Sequence, residues 1–423
     1  MSKMVRSPLF LMALTIFIDF TGFGLVIPLL PFWAEHLGAG PAGVGLILTV
    51  YALAQFIFTP VLGKLSDHYG RKPVIFSSLL IEAVSFAFTA LAGSLPLLLL
   101  ARFIGGLGAS NIGSAQALVA DVTPPQGRAR GMGMIGAAIG LGFVVGPALG
   151  GMLASVGPAV PFWVAMGLAV VNALLVMSFL PETHRKREVA ASASSRNRGS
   201  GGLLTGWGKA LRYPAVTRLV MINLLLTVAF AAMEAVFPLF TQHTFGWTAR
   251  ENGYIFTYVG FVVVLMQGGL VGRIARRFGE RTLLIAGLVM LAAGLALLPW
   301  STNLALLFIS LGILSAGDGA VTPAVSALLS FISPAEAQGE TLGFAQGVAG
   351  LGRIVGPLAA GSLFAMAGPG SPFLIGSILV ALAVALALPA LPIRQEAEEV
   401  QVRTEDKKKS GRITRSLSEA SKR

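Results

Sequence analysis

The sequence predicts an all-α membrane protein whose twelve spans form two six-helix bundles related by a parallel repeat, and three observations carry that prediction. First, mean hydropathy is +0.78 and only 12% of the residues are charged, against about a quarter in soluble domains. Second, the apolar runs are long and unbroken enough for helices of about 20 residues, while the alternating pattern of barrel strands is absent. Third, the halves resemble each other at a fixed offset. Gly140 to Gly151 reads GLGFVVGPALGG and Gly350 to Gly361 reads GLGRIVGPLAAG, 210 residues later; Gly133 matches Gly343 at the same offset, and Gly63 to Gly70 matches Gly272 to Gly279 at 209. Duplication of a six-helix unit leaves a cleft between the two copies near the bilayer midplane.

In order, the spans fall at 9–31, 43–62, 74–93, 96–120, 131–154, 160–180, 216–240, 252–271, 282–299, 304–329, 341–366 and 372–392. Span 1 is too long for a signal-peptide core and lacks a small-residue cleavage site, so it reads as a retained helix. Polar stretches separate the others: the Gly63 loop after span 2, Arg128 and Arg130 before span 5, and Arg273 to Arg281 between spans 8 and 9. After span 6 comes ETHRKREVAASASSRNRGSGG, too polar to bury a core and therefore a linker. The organisation expected is a bundle over 1–180, a linker over 181–214, a bundle over 215–393 and a basic, disordered tail over 394–423.

All but three of the 31 Lys and Arg fall on one side of this arrangement; Arg102 and Arg353 lie inside spans and Arg250 lies in an opposite loop. The positive-inside bias then puts both termini in the cytoplasm. The net charge of +12 is therefore topological and lipid-facing, and no finger, helix-turn-helix or aromatic-interleaved patch points to nucleic acid. With no cysteine in the chain, disulfides, thiol chemistry and cysteine-based metal sites are excluded. No metal or other cofactor is expected.

The stretch Gly63 to Val74, GKLSDHYGRKPV, reads as a short charged turn in water. Asp67 can accept hydrogen bonds there while Lys64, Arg71 and Lys72 supply opposite charge. Gly63 and Gly70 permit close approach and positive φ. The run closely resembles the loop joining helices 2 and 3 of the major facilitator superfamily. That resemblance implies a latch, with Asp67 meeting the N-terminal end of span 11 and Arg71 pairing with Asp121. In span 5, Gly142, Gly146, Pro147, Gly150 and Gly151 resemble the helix 5 motif of antiporters in that superfamily. Physically, such small residues let backbones touch, and Pro147 kinks the span. Gly131, Gly133 and Gly136 also spell GxGxxG, but without a βαβ setting this is packing.

Six ionisable residues lie within spans, where each is costly unless it faces a partner or water: Asp19, Glu82, Arg102, Glu234, Asp318 and Arg353. Four of them occupy spans 1, 4, 7 and 10, which line the cavity in the superfamily. Asn111 and Gln55 add neutral hydrogen-bonding groups. Across nearly the whole chain the resemblance narrows to twelve-helix drug/proton antiporters on the major facilitator fold, including multidrug and quinolone exporters. It implies proton-coupling roles for Asp19, Glu234 and Asp318 and matches Arg102 to the family's helix 4 arginine. Asp19 is similar to the helix 1 acid of tetracycline exporters and vesicular monoamine transporters. The acids of tetracycline exporters in helices 3 and 9 have no clear counterpart, since Glu82 stands about a turn out of register and span 9 has no acid.

The function expected is export of lipophilic cations in exchange for protons, from a cell membrane and by a monomer. The cargo would meet Asp19, Phe23, Asn111, Glu234, Phe237 and Arg102, with Phe20, Phe230, Met233 and Phe240 as neighbours. A symporter or uniporter on the same fold is the second reading, and a non-transporting receptor the third. No P-loop, HExxH or GxSxG motif supports an enzyme.

Overall fold

A computed structural model describes residues 8–123, 128–182, 214–333 and 338–389, and every regular element among them is helical. The first half contains α1 (Pro8–Val26), a short α2 (Leu30–His36), α3 (Pro41–Tyr69), α4 (Arg71–Ala90), α5 (Leu95–Gly108), α6 (Ile112–Val122), α7 (Arg128–Ala154) and α8 (Val160–Phe179). The second contains α9 (Pro214–Phe245), α10 (Ala249–Leu265), α11 (Val271–Phe278), α12 (Glu280–Leu297), α13 (Leu304–Ile332), α14 (Gln338–Ala367) and α15 (Ser371–Ala387). Span 4 is α5 and α6 joined by the tight turn Ala109–Asn111, and span 8 is α10 and α11 joined by the π-helical turn Met266–Leu270. Eleven spans among the described residues are long and apolar enough to cross a membrane, and α15, at 17 residues, is a shorter apolar helix. The chain is a multi-pass membrane protein. Most of the expected linker, from residue 183 to 213, and the tail lie outside the described residues.

Local chemistry sets the ends. Proline occupies the first turn of α3, α5, α8 and α15, where its missing N–H costs nothing. Asn303 caps α13 by accepting from the Leu306 N–H at 2.9 Å, and Thr248 and Glu251 form a reciprocal capping box on α10. The charged loop expected after residue 62 is different: α3 runs on to Tyr69 and α4 begins at Arg71. Gly70 alone makes the connection, at φ 105° and ψ 158°, a conformation open in practice to glycine only. Gly279 repeats it between α11 and α12 at φ 82° and ψ 157°, so the duplication extends to backbone torsions.

Packing follows the same duplication. Within the first half α1 packs on α7 and α8, and α4 on α5 and α8; within the second α9 packs on α14 and α15, and α12 on α13 and α15. The glycines of span 5 explain the first of these contacts. A methyl group on Gly146 would lie 2.6 Å from the Thr21 carbonyl oxygen, and one on Gly142 would lie 2.7 Å from Cβ of Phe20. Their counterparts Gly356 and Gly352 meet Val228 and Thr227 of α9 in the same way.

The two halves meet where α7 crosses α10 and where α14 crosses α3. Gly151 approaches Gly253 and the Arg250 carbonyl, while Gly45 and Gly361 lie against the carbonyl oxygens of Pro357 and Pro41. Thr49 donates to the Ile354 carbonyl at 3.0 Å, and the Glu35 and Gln242 side chains lie near each other across the halves. Leu239 of α9 is buried in the core of the first half. These contacts seal the end away from Gly70. Toward the Gly70 end the same helix faces carry Gly63, Gly136, Gly268 and Gly343, and a methyl group on any of them would meet nothing within 4 Å among the described residues. The cleft therefore opens toward the Gly70 end.

Candidate transport cleft

At mid-span the first half gathers Asp19 from α1, Tyr51 from α3, Glu82 from α4 and Arg102 from α5. The Asp19 and Glu82 carboxyls lie beside each other. Glu82 is buried, and Gly108 of α5 leaves room for it: a methyl group there would lie 2.7 Å from its Cγ. Arg102, 3% exposed, donates to Thr89 Oγ1 at 2.8 Å and Ser85 Oγ at 3.4 Å, and its guanidinium stands 5.8 Å from the Tyr51 ring centre. The expectation that Arg102 contacts cargo changes accordingly. Its hydrogen bonds go to α4, and it fixes the wall of the site.

The second half brings together Glu234, Asp318 and Arg353 from α9, α13 and α14. Glu234 lies within electrostatic reach of both other groups, and Arg353 also lies within electrostatic reach of Tyr51 of the first half. Glu234 and Asp318 are half-buried, whereas Arg353 is exposed. A carboxyl cluster in each half, with Tyr51 in the first and Arg353 in the second, gives the cleft its polar character.

Aromatic rings wall the first-half cluster. Phe23 stacks on Tyr51 at 5.5 Å, and Phe20, Phe23 and Phe143 lie 5.6 to 6.3 Å apart. Phe237 departs from its expected place: it is 1% exposed and packs edge-to-face on Phe256 inside the second half's core. Met233 and Phe240 are buried in the same core, because that face of α9 turns toward its own bundle. Asn111 is buried in the turn that breaks span 4, where Gln55 donates to the Ala109 carbonyl at 3.2 Å.

At the Gly70 end, Arg71 binds Asp67 at 2.7 Å, Asp121 at 3.5 Å and the Ser66 hydroxyl at 2.6 Å. Lys72 contributes its backbone: the Arg71 and Lys72 N–H groups donate to the Glu182 carboxylate at 3.2 and 3.3 Å. Sequence reading placed Glu182 in the linker and missed this contact, which no local pattern announces. A methyl group on Gly70 would lie 2.7 Å from that carboxylate. Gly70→Ala should therefore lower stability by about 1–3 kcal/mol through torsional strain alone, with loss of the Glu182 cap in addition. Thermal unfolding of the purified protein should show it, and an unchanged midpoint would mean the turn relaxes freely.

Two duplicated six-helix bundles around a charged cleft define a membrane transporter of the secondary type. The Major Facilitator Superfamily model matches residues 12–277 and 268–421, and the chain belongs to that superfamily. It is 32% identical over 381 residues to the class G tetracycline resistance protein of Vibrio anguillarum, covering 89% of this chain and 95% of that one. It is 31% identical over 379 residues to multidrug resistance protein 1 of Bacillus subtilis (strain 168), covering 88% and 93%. Among solved structures, the human organic anion transporter MFSD10 (TETRAN) superposes with a TM-score of 0.67 at 27% identity, over 92% of this chain and 100% of that one.

Proposed function

We propose that this chain exports lipophilic cations in exchange for protons, by alternating access of the cleft to the two membrane faces. The observation that supports it most is the charge of the cleft: Asp19, Glu82, Glu234 and Asp318 stand against Arg102 and Arg353, and Arg102 is already committed to hydroxyls of α4. The excess of carboxyls suits a cationic amine, and Phe20, Phe23, Phe143 and Tyr51 add ring faces worth roughly 0.5 to 2 kcal/mol each to a cation. The similarity to proteins named for tetracycline and multidrug resistance supports export. In this reading the Gly70 end lies in the cytoplasm, the membrane is the plasma or inner membrane, and a monomer suffices. The cluster of Gly63, Asp67, Gly70, Arg71, Lys72, Asp121 and Glu182 then acts as the gate on that side.

Coupling rests on carboxyls that hold a proton when the cleft closes and release it to water when it opens. Asp318→Asn and Glu234→Gln should each cut transport driven by a pH gradient by about tenfold or more while sparing exchange of one cargo molecule for another. Reconstituted vesicles loaded with a cationic dye, an uncharged analogue of similar size, or tetracycline provide the measurement. Equal loss of gradient-driven transport and exchange would assign these acids a structural role instead. Proton movement in the same direction as cargo would favour the symporter reading.

A further inference from the structure

Arg353 is the charged group of the cleft that the exchange scheme leaves unused. On α14, Gly350, Ile354, Pro357 and Gly361 face α3, while Gly352 and Gly356 face α9. At about 100° per residue, Arg353 falls in the sector between these two stripes, toward the cleft. The other sector carries Leu351, Val355 and Leu358, which are exposed apolar residues suited to lipid. The ion pairs within 4 Å among the described residues belong to Arg71, so Arg353 stands exposed with Tyr51 and Glu234 within electrostatic reach but not in contact. The repeat supplies an independent argument. The position equivalent to Arg353, 210 residues earlier, is Phe143, so the helix packing itself does not call for a charge there. A guanidinium with no ion-pair or hydrogen-bond partner among the described residues, open to the cleft, has the geometry of a carboxylate receptor.

We propose that Arg353 and the Tyr51 hydroxyl form an anion-accepting subsite in the cleft, so that the preferred cargo is a lipophilic zwitterion carrying a carboxylate as well as a cationic amine. The carboxylate would accept hydrogen bonds from both donors while the amine lies toward the acids. This refines the export reading by adding a second charge to the cargo, and it concerns binding, which needs no gradient.

The test uses the full chain in detergent and two dyes that differ at one group: rhodamine 110, a zwitterion at neutral pH, and its methyl ester rhodamine 123, a cation. Fluorescence polarisation should show the wild type binding the acid more tightly than the ester. Arg353→Gln should weaken the acid about tenfold, the usual scale for a charge-assisted hydrogen bond, and leave the ester within about twofold. Tyr51→Phe, which removes one hydroxyl, should weaken the acid selectively and more mildly, and it serves where Arg353→Gln does not fold. A wild type that fails to prefer the acid, or variants that lose both dyes alike, would overturn the subsite and make Arg353 a counter-ion of Glu234. Selective binding without proton exchange in vesicles would instead sink the antiport reading and leave the subsite standing.

Discussion

Replacing Gly45 or Gly361 with alanine should force apart the end of the molecule remote from Gly70. At both positions an added methyl group would overlap a backbone carbonyl of the other half, Pro357 for Gly45 and Pro41 for Gly361. Carbonyls cannot rotate away as side chains can, so the helices must separate. Overpacking of this kind costs about 1–3 kcal/mol, equivalent to about 5- to 150-fold in a conformational equilibrium. Because the natural sequence has no cysteine, Phe23→Cys introduces a single reporter thiol in the cleft. Its labelling by an impermeant reagent from the remote side should rise by a factor in that range. Gly146→Ala provides the contrast: its clash with Thr21 and Leu25 lies inside one bundle, so it should lower the unfolding temperature without raising labelling. Unchanged labelling in both interface variants would show that this contact is not the seal.

Removing either member of the Asp19–Glu82 pair should uncouple the protein from protons. Two neighbouring carboxylates repel each other unless they share a proton, and the charged or titratable groups facing this pair are Arg102 of α5 and Tyr51 of α3. Asp19→Asn and Glu82→Gln each leave an amide that can donate to the remaining carboxylate with no proton present. Infrared difference spectra of the wild type should show a protonated carboxyl band that both variants lose. Their gradient-driven transport should fall by about tenfold or more, and the pH dependence of dye binding should flatten. A band of undiminished intensity in both variants would show that this pair holds no proton and leave coupling to Glu234 and Asp318 alone.

The latch and cleft residues were legible in the sequence to different degrees. Arg71 with Asp121 could be expected because a basic residue opening span 3 and an acid closing span 4 meet at one membrane face. Asp19, Glu234 and Asp318 stood out because an acid in a hydrocarbon-length run needs an explanation. Glu182 did not stand out: it lies 111 residues from Arg71, at the edge of a polar stretch. Phe237 was misplaced because hydropathy gives the depth of a residue in a span but not which neighbour it faces. The mismatch of Phe143 and Arg353 inside an otherwise repeated motif was a usable signal for the cleft, since a repeat that keeps its glycines and changes one side chain separates packing from chemistry.

By itself the sequence determined that the chain crosses the membrane as helices, that two halves repeat, and where the intramembrane charges lie, because hydrocarbon thickness and backbone hydrogen bonding leave few alternatives. Only the tertiary structure decided which of those charges meet. Asp19 with Glu82, Arg102 with Ser85 and Thr89, and Arg353 opposite Tyr51 all join different helices. Helix rotation sets such pairings, and that rotation is fixed by glycines and carbonyls in contact across helices, which periodicity along one strand of sequence does not encode.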